Sequence, residues 1–202
     1  MSAAHEHRLI LASKSKSRAS VLRAAGLSFE QIGSGVDEDA LKEALRAEGA
    51  TVAKQADLLA ETKAMKVSIS HLGVVLGCDQ MLDLDGQGLD KVATRAEAAD
   101  VLRRLRGKTH VLQSAIVACV EGAPVWRHLS QPKLRVRNFS DEFLETYLEQ
   151  IGDAAFECVG CYQIEGLGAQ LFDRIDGDYF SILGMPLLPL MQWLRDRGSL
   201  QP

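Results

Sequence analysis

From Ala12 to Arg18 the chain reads Ala-Ser-Lys-Ser-Lys-Ser-Arg, three hydroxyls alternating with three cations directly after the apolar run of Arg8 to Ala12. A strand feeding such a loop, which then opens a helix, leaves the first backbone N–H groups of that helix unpaired and partly positive. Such a terminus suits a phosphate. Lys14, Lys16 and Arg18 add formal charge, and no acid occurs between Ser13 and Phe29. By spacing alone the same residues also describe an ordinary helix cap at Ser13 or Ser15 with solvated lysines. The Walker spacing is absent, so a P-loop is not supported.

A second group is Gly77-Cys78-Asp79-Gln80, which follows the apolar run Val74-Val75-Leu76. An acid at the carboxyl end of a buried strand lies where α/β sheets bind ligands. Asp79 there could ligate a metal or act as a general base, or be a simple turn residue. Asp37-Glu38-Asp39 reads as a solvated helix start, where acids complement the helix dipole. If Glu38 and Asp79 converge, their oxygens suit Mg²⁺ or Mn²⁺. Lys63 and Lys91, taken singly, read as solvated surface lysines. In Tyr162-Gln163-Ile164-Glu165-Gly166 an acid beside a glycine could accept hydrogen bonds from a base edge. The histidines show no ligand spacing, and His5 and His7 are expected in a mobile N-terminus covering residues 1–7. Nothing resembles a Ser-His-Asp triad.

Of the cysteines (Cys78, Cys119, Cys158 and Cys161), only the last two form a C-x-x-C pair. A zinc site would want a second pair or a pair of histidines nearby. Redox motifs of this type usually open a helix, whereas Phe156 to Ile164 reads as a strand. Buried, reduced structural thiols are the expectation.

The elements that must position these groups alternate between the two hydrophobic periods. Strands are expected at Arg8 to Ala12, Ser28 to Ile32 and Val74 to Leu76, the last ending at Gly77–Gln80. Met81 to Leu84 and Gly88 to Asp90 flank a turn at Asp85-Gly86. His110 to Val120 and Pro124 to Val136 read as a hairpin around Glu121-Gly122. Helices are expected from the Ser13 loop to Gly26, over Asp37 to Glu48 and Thr51 to Ser70, and behind the capping box Thr94-Arg95-Ala96-Glu97 to Gly107. Two more run from Ser140 to Ile151 and from Pro186 to Arg197. Interleaved strands and helices argue for an α/β or α+β fold.

Composition narrows the function classes. At 202 residues the chain is long enough to bury a core without disulfide or metal. Its net charge of −4 and 5% aromatic content disfavour a general nucleic-acid binder or a single-strand stacking platform. The longest uncharged stretch, Tyr179 to Leu194, is shorter than the ~20 residues of a membrane span and holds Pro186 and Pro189. The apolar run before Lys14 is too short for a signal peptide. A cytoplasmic protein is expected, without membrane or nucleic-acid partners.

Five separated motifs occur in order along the chain. They are Leu11-Ala12-Ser13-x-Ser15, Glu61-x-Lys63-Ala64, Gly77-x-Asp79, Gly107-x-x-His110, and Tyr162-x-Ile164-Glu165-Gly166 with the later Gly184-Met185-Pro186-Leu187. Together they resemble the Maf family of nucleoside triphosphate pyrophosphatases, from Leu9 to about Leu194. The resemblance implies a single domain with a mixed, strongly bent sheet and flanking helices, in two lobes around a cleft, usually as a homodimer. It also implies hydrolysis between the α- and β-phosphates to nucleoside monophosphate and pyrophosphate, with Mg²⁺ or Mn²⁺. Asp79 would activate water or hold metal, with Glu38 assisting. Ser13, Arg18, Lys63 and Lys91 would clamp the triphosphate, beside Ser15. Phosphoryl transfer depends mostly on positioning and charge neutralisation, so this assembly is chemically sensible.

Some positions depart from the family pattern. Ser-Pro-x-Arg is usual in the first loop, where this chain has Ser15-Lys16-Ser17-Arg18, and Val92 replaces the Pro usual after the lysine. Ser17 is a specificity position and matches neither the dTTP/UTP branch (Arg) nor the 7-methyl-GTP branch (Trp). Gln80 and Glu165 match the 7-methyl-GTP branch, and Glu165 could accept from a guanine N1–H and amino group. A purine or modified purine substrate is therefore expected. The alternative role implied by the family name is a nucleotide-binding regulator of division or septum formation with little turnover.

Overall fold

The computed structural model describes residues 8–201, so the expectation of a mobile N-terminus falls outside the described residues. In chain order the strands and helices are β1 Leu9–Leu11, α1 Lys16–Ala24, β2 Glu30–Gln31, α2 Glu38–Ala47, α3 Val52–Ser68, β3 Val74–Leu84 and β4 Gln87–Leu89. They continue as α4 Arg95–Leu105, β5 Thr109–Val120, β6 Ala123–Ser130, β7 Lys133–Val136, α5 Asp141–Ile151, β8 Phe172–Asp176, α6 Tyr179–Ile182 and α7 Leu187–Asp196. The fold is mixed α/β, as expected.

Among the described residues the chain divides into two compact units, one of 8–79, 114–130 and 179–201, the other of 80–113 and 131–178. In the first, β1 pairs in parallel with both β2 and β3, and the second half of β5 carries β6 antiparallel. Leu11, Leu22, Leu76, Ile116, Met185 and Leu190 form its core. In the second, the end of β3 turns back on β4, and β7 lies between the start of β5 and β8, all antiparallel.

The helix starts follow local chemistry. Ser15, Asp37, Thr51, Thr94 and Ser140 each accept a hydrogen bond from the backbone N–H three residues on, and Thr94 with Glu97 completes the capping box. Lys16 occupies the first helical position, where proline is favoured because its missing N–H has no helical partner. The chain therefore forgoes proline's pre-set φ there without losing a hydrogen bond.

Three expectations are corrected. β3 does not end at Gly77–Gln80 but runs on to Leu84, so Asp79 sits within a strand and not in a turn at its end. The expected Pro124–Val136 arm is two strands. Pro132 has no N–H with which to continue the ladder, and the chain re-pairs as β7 on the other half of β5. Phe156 to Ile164 is not a strand, because Gly160 at φ 80° and Cys161 at φ 61° reverse the backbone and leave short 3₁₀ turns. β8 and α6 were not expected. β8 is largely exposed and carries little apolar periodicity.

One packing contact governs the site. A Cβ on Gly77 would lie 2.0 Å from Ala60 O, 2.7 Å from Ala64 N and 2.9 Å from Ala64 Cβ. β3 and α3 thus touch backbone to backbone, and only glycine fits. Gly77→Ala is expected to cost at least ~1–3 kcal/mol by forcing the two elements apart. Urea denaturation of both proteins reads this directly, and an unchanged midpoint would contradict it.

Candidate active site

The close approach at Gly77 brings α3 against β3 and buries Lys63, which is only 4% exposed. Lys63 is therefore not the solvated lysine its local sequence describes. Its Nζ donates to Asp79 Oδ1 at 2.7 Å and lies 2.8 Å from Glu38 Oε2. Asp79 is 5% exposed, and its Oδ2 is buried without a hydrogen-bond partner. Glu38, in the first turn of α2, is partly open to solvent. Glu38 and Asp79 both contact the Lys63 ammonium, which lies between their carboxylates.

Beside this cluster stands the hydroxyl-rich loop. Ser13 Oγ accepts from the Ser15 N–H at 3.2 Å and from Arg18 Nη1 at 3.3 Å. Arg18 also donates through Nε to Gly184 O and through Nη1 to Cys78 O, each at 3.0 Å. The guanidinium thus ties the loop to β3 and to the segment before α7. Ser17 Oγ donates to Leu183 O at 3.4 Å, so it faces the same segment. Burial pushes the Cys78 thiol up to about 11, with Arg18 and Lys63 pulling the other way and Asp79 adding to the rise. Cys78 is a neutral packing group that lies within the field of all three.

Expected site residues Ser13, Ser15, Ser17, Arg18, Glu38, Lys63 and Asp79 lie in the first unit; Gln80, Lys91 and Glu165 belong to the second. Gln80 is half-buried on β3, Lys91 is exposed just beyond β4, and Glu165 is exposed in a turn closed by the Gly166 N–H on Gln163 O at 3.1 Å. Cys158 lies within the field of both Lys91 and Glu165. Its thiol is pushed up by burial, drawn down by Lys91, and raised further by Glu165 and Glu157. Cys78, Cys119 and Cys161 are buried and reduced, whereas Cys158 is only half-buried.

Among the described residues no group of three His, Cys, Asp or Glu side chains has the arrangement of a metal cage. The donors present fit a hard cation nonetheless. Mg²⁺ keeps several waters and is usually held by one or two carboxylates plus substrate phosphates. Asp79, with an unpartnered buried oxygen, and Glu38 supply that many.

The second unit holds a buried polar contact for which the local sequence carries no signal. His110 Nε2 and Tyr162 Oη lie 2.6 Å apart, and both rings pack on Phe172. Burial holds His110 down at about 4, below the ordinary ~6.5. As pH falls, the unfolded chain takes up this proton first. The resulting stability is complete above ~6.5 and drains as pH falls towards 4, roughly 3 kcal/mol at ~1.4 kcal/mol per pH unit. Urea melts at pH 7 and pH 5 should show the loss in the unsubstituted protein and a smaller one in His110→Phe; equal slopes would remove His110 as the source.

The sequence has counterparts among known proteins. A family model described as Maf-like protein matches residues 8–197. The chain is 52% identical over 190 residues to a protein of Hyphomonas neptunium named nucleoside triphosphate pyrophosphatase, covering 94% of this chain and 96% of that one. A protein of the same name from Caulobacter vibrioides is 50% identical with the same coverage. Another from Sphingopyxis alaskensis is 52% identical over 192 residues, 94% of this chain and 97% of its own.

Proposed function

The chain belongs to the Maf family, and from that membership we propose that it is a nucleoside triphosphate pyrophosphatase, a hydrolase acting on the α–β phosphoanhydride bond. The observation that carries the reading is the state of Asp79. One oxygen is tied to the buried Lys63 and the other is buried and unpartnered, so a carboxylate is oriented with a free lone pair. In the reaction a water oxygen attacks the α-phosphorus and Asp79 Oδ2 accepts its proton. The bond from the α-phosphorus to the bridging oxygen breaks, and that oxygen leaves on pyrophosphate, giving nucleoside monophosphate.

Lys63 uses two of its three N–H donors on Asp79 and Glu38, and the third is available to a phosphate oxygen. The start of α1, whose first N–H groups have no partner within the helix, supplies further donors, so developing charge meets preorganised dipoles. Arg18 contributes chiefly by holding the Ser13–Arg18 loop in place. A divalent cation, Mg²⁺ or Mn²⁺ on Asp79 and Glu38, would neutralise phosphate charge when bound. Gln80, Lys91 and Glu165 are the substrate contacts this reading assigns to the second unit, Glu165 as an acceptor for a purine base edge. A homodimer in the cytoplasm is part of the same proposal. Among the described residues no helix is long and apolar enough to cross a membrane.

Product analysis on a nucleotide panel tests the proposal. The panel holds the common NTPs and dNTPs, 7-methyl-GTP, 5-methyl-UTP, pseudo-UTP and ITP, each with Mg²⁺, Mn²⁺ or neither. Metal-dependent release of monophosphate and pyrophosphate in equal amounts is expected. Tight binding without turnover would replace this reading by the regulator.

A further inference from the structure

The segment from Glu157 to Leu171 carries Glu165 and has no strand or α-helix of its own, only short 3₁₀ turns. Its path is dictated by a few fixed points. Cys161 adopts φ 61°, a left-handed conformation that an L-residue keeps only where surrounding contacts enforce it. The Tyr147 hydroxyl donates to Cys161 O at 3.0 Å. A Cβ on Gly160 would lie 2.6 Å from Tyr162 Cε1 and 2.7 Å from Leu82 Cδ1, so one edge of the ring packs directly against that glycine. A Cβ on Gly168 would lie 2.4 Å from Gln163 O, so the far side of the turn closes tightly on its near side.

Within this frame Tyr162 is buried along with Cys161 and Leu171, and its hydroxyl ends on His110 Nε2 at 2.6 Å. His110 is 1% exposed and stands on β5, paired with Leu134 of β7. Its other nitrogen, Nδ1, is buried without a hydrogen-bond partner. A buried imidazole on a sheet strand that directs its one polar contact to the root of an irregular loop is a costly choice for packing alone. An apolar residue there would fill the space without leaving a ring nitrogen unsatisfied. What the imidazole adds is a fixed distance from the sheet to the residue three positions before Glu165.

We propose that His110 is a positioning residue that acts through Tyr162 to set the loop carrying Glu165, and so determines which nucleotide base the protein selects. The inference rests on the pyrophosphatase reading for the role of Glu165. It treats neither His110 nor Tyr162 as touching substrate.

Tyr162→Phe is the first test, because it deletes one hydroxyl and keeps the ring against Gly160. Dissociation constants for the α,β-methylene analogues of GTP and UTP are measured with Mg²⁺, alongside kcat and KM from pyrophosphate release with GTP and UTP. The unsubstituted protein should prefer the guanine analogue. Loss of one hydrogen bond should shrink the GTP-to-UTP affinity ratio roughly five- to tenfold, as in Glu165→Ala, with kcat within about twofold. His110→Phe should do the same and add nothing in the double variant. His110→Gln, whose amide nitrogen can stand in for Nε2, should restore part of the ratio. An unchanged ratio in Tyr162→Phe with only a lowered melting temperature would make the contact purely structural and overturn the proposal, as would equal affinity of the unsubstituted protein for both bases. Binding without turnover would sink the pyrophosphatase reading alone, since the affinity ratios still decide the role of His110. Binding of neither analogue would overturn both.

Discussion

Turnover of the preferred triphosphate is expected to fall about a thousandfold in Asp79→Asn, the range over which a positioned general base contributes. Nucleotide affinity should stay within about tenfold, or ~1.4 kcal/mol. The asymmetry follows from the geometry. The side-chain amide of the Asp79→Asn variant would still offer an oxygen to Lys63, and the ammonium would still lie 2.8 Å from Glu38, so the local fold survives. What disappears is the basic lone pair at Oδ2, which has no hydrogen-bond partner in the folded chain. Rates of pyrophosphate release, analogue titration and a thermal melt on the same preparation separate these effects. A variant that keeps most of its activity would remove Asp79 from the proton-accepting role.

The second large effect is expected at Lys63. Lys63→Met keeps the volume and removes the charge, leaving the buried Asp79 carboxylate without its cation. Breaking one side of a buried ion pair costs ~3–5 kcal/mol. The lower end applies here, since Glu38 is partly solvated and its share is screened. For a chain of this size ~3 kcal/mol corresponds to about 6–12 °C in melting temperature. Activity should also collapse at temperatures where the variant is folded, because Asp79 loses its orientation and the phosphate loses a donor. A melt within a degree or two of the unsubstituted protein would show that the pair contributes little to stability.

These two residues also show what is legible in the sequence. Asp79 stands out because an acid follows an apolar run, and the first loop because cations and hydroxyls alternate without an intervening acid. Both are local signals. Lys63 is not legible on its own, since a lysine in a helix is normally solvated. Its burial depends on a contact between Gly77 and Ala60, which the local pattern of each segment does not record. A row of small residues at Gly77, Ala60 and Ala64 is the available clue. The strand through Asp79 extends beyond its apolar run because its second half is one arm of the hairpin with β4 around Asp85-Gly86, so two short local signals merge into one continuous strand.

By itself the sequence determined the α/β class, the helix starts, the break after α5 at Gly152 and the residue types available for chemistry. Each follows from short-range physics: hydrophobic period, a capping side chain, or the conformational freedom of glycine. Only the tertiary structure decided that Pro132 splits one expected strand into two pairing partners. The reversal at Cys161 also belongs there, because a positive φ at a non-glycine residue is paid for by distant contacts such as Tyr147 on Cys161 O. The shared hold of Glu38 and Asp79 on one buried lysine is of the same kind. Desolvation and close backbone approach depend on which segments meet, and that is a property of the folded chain.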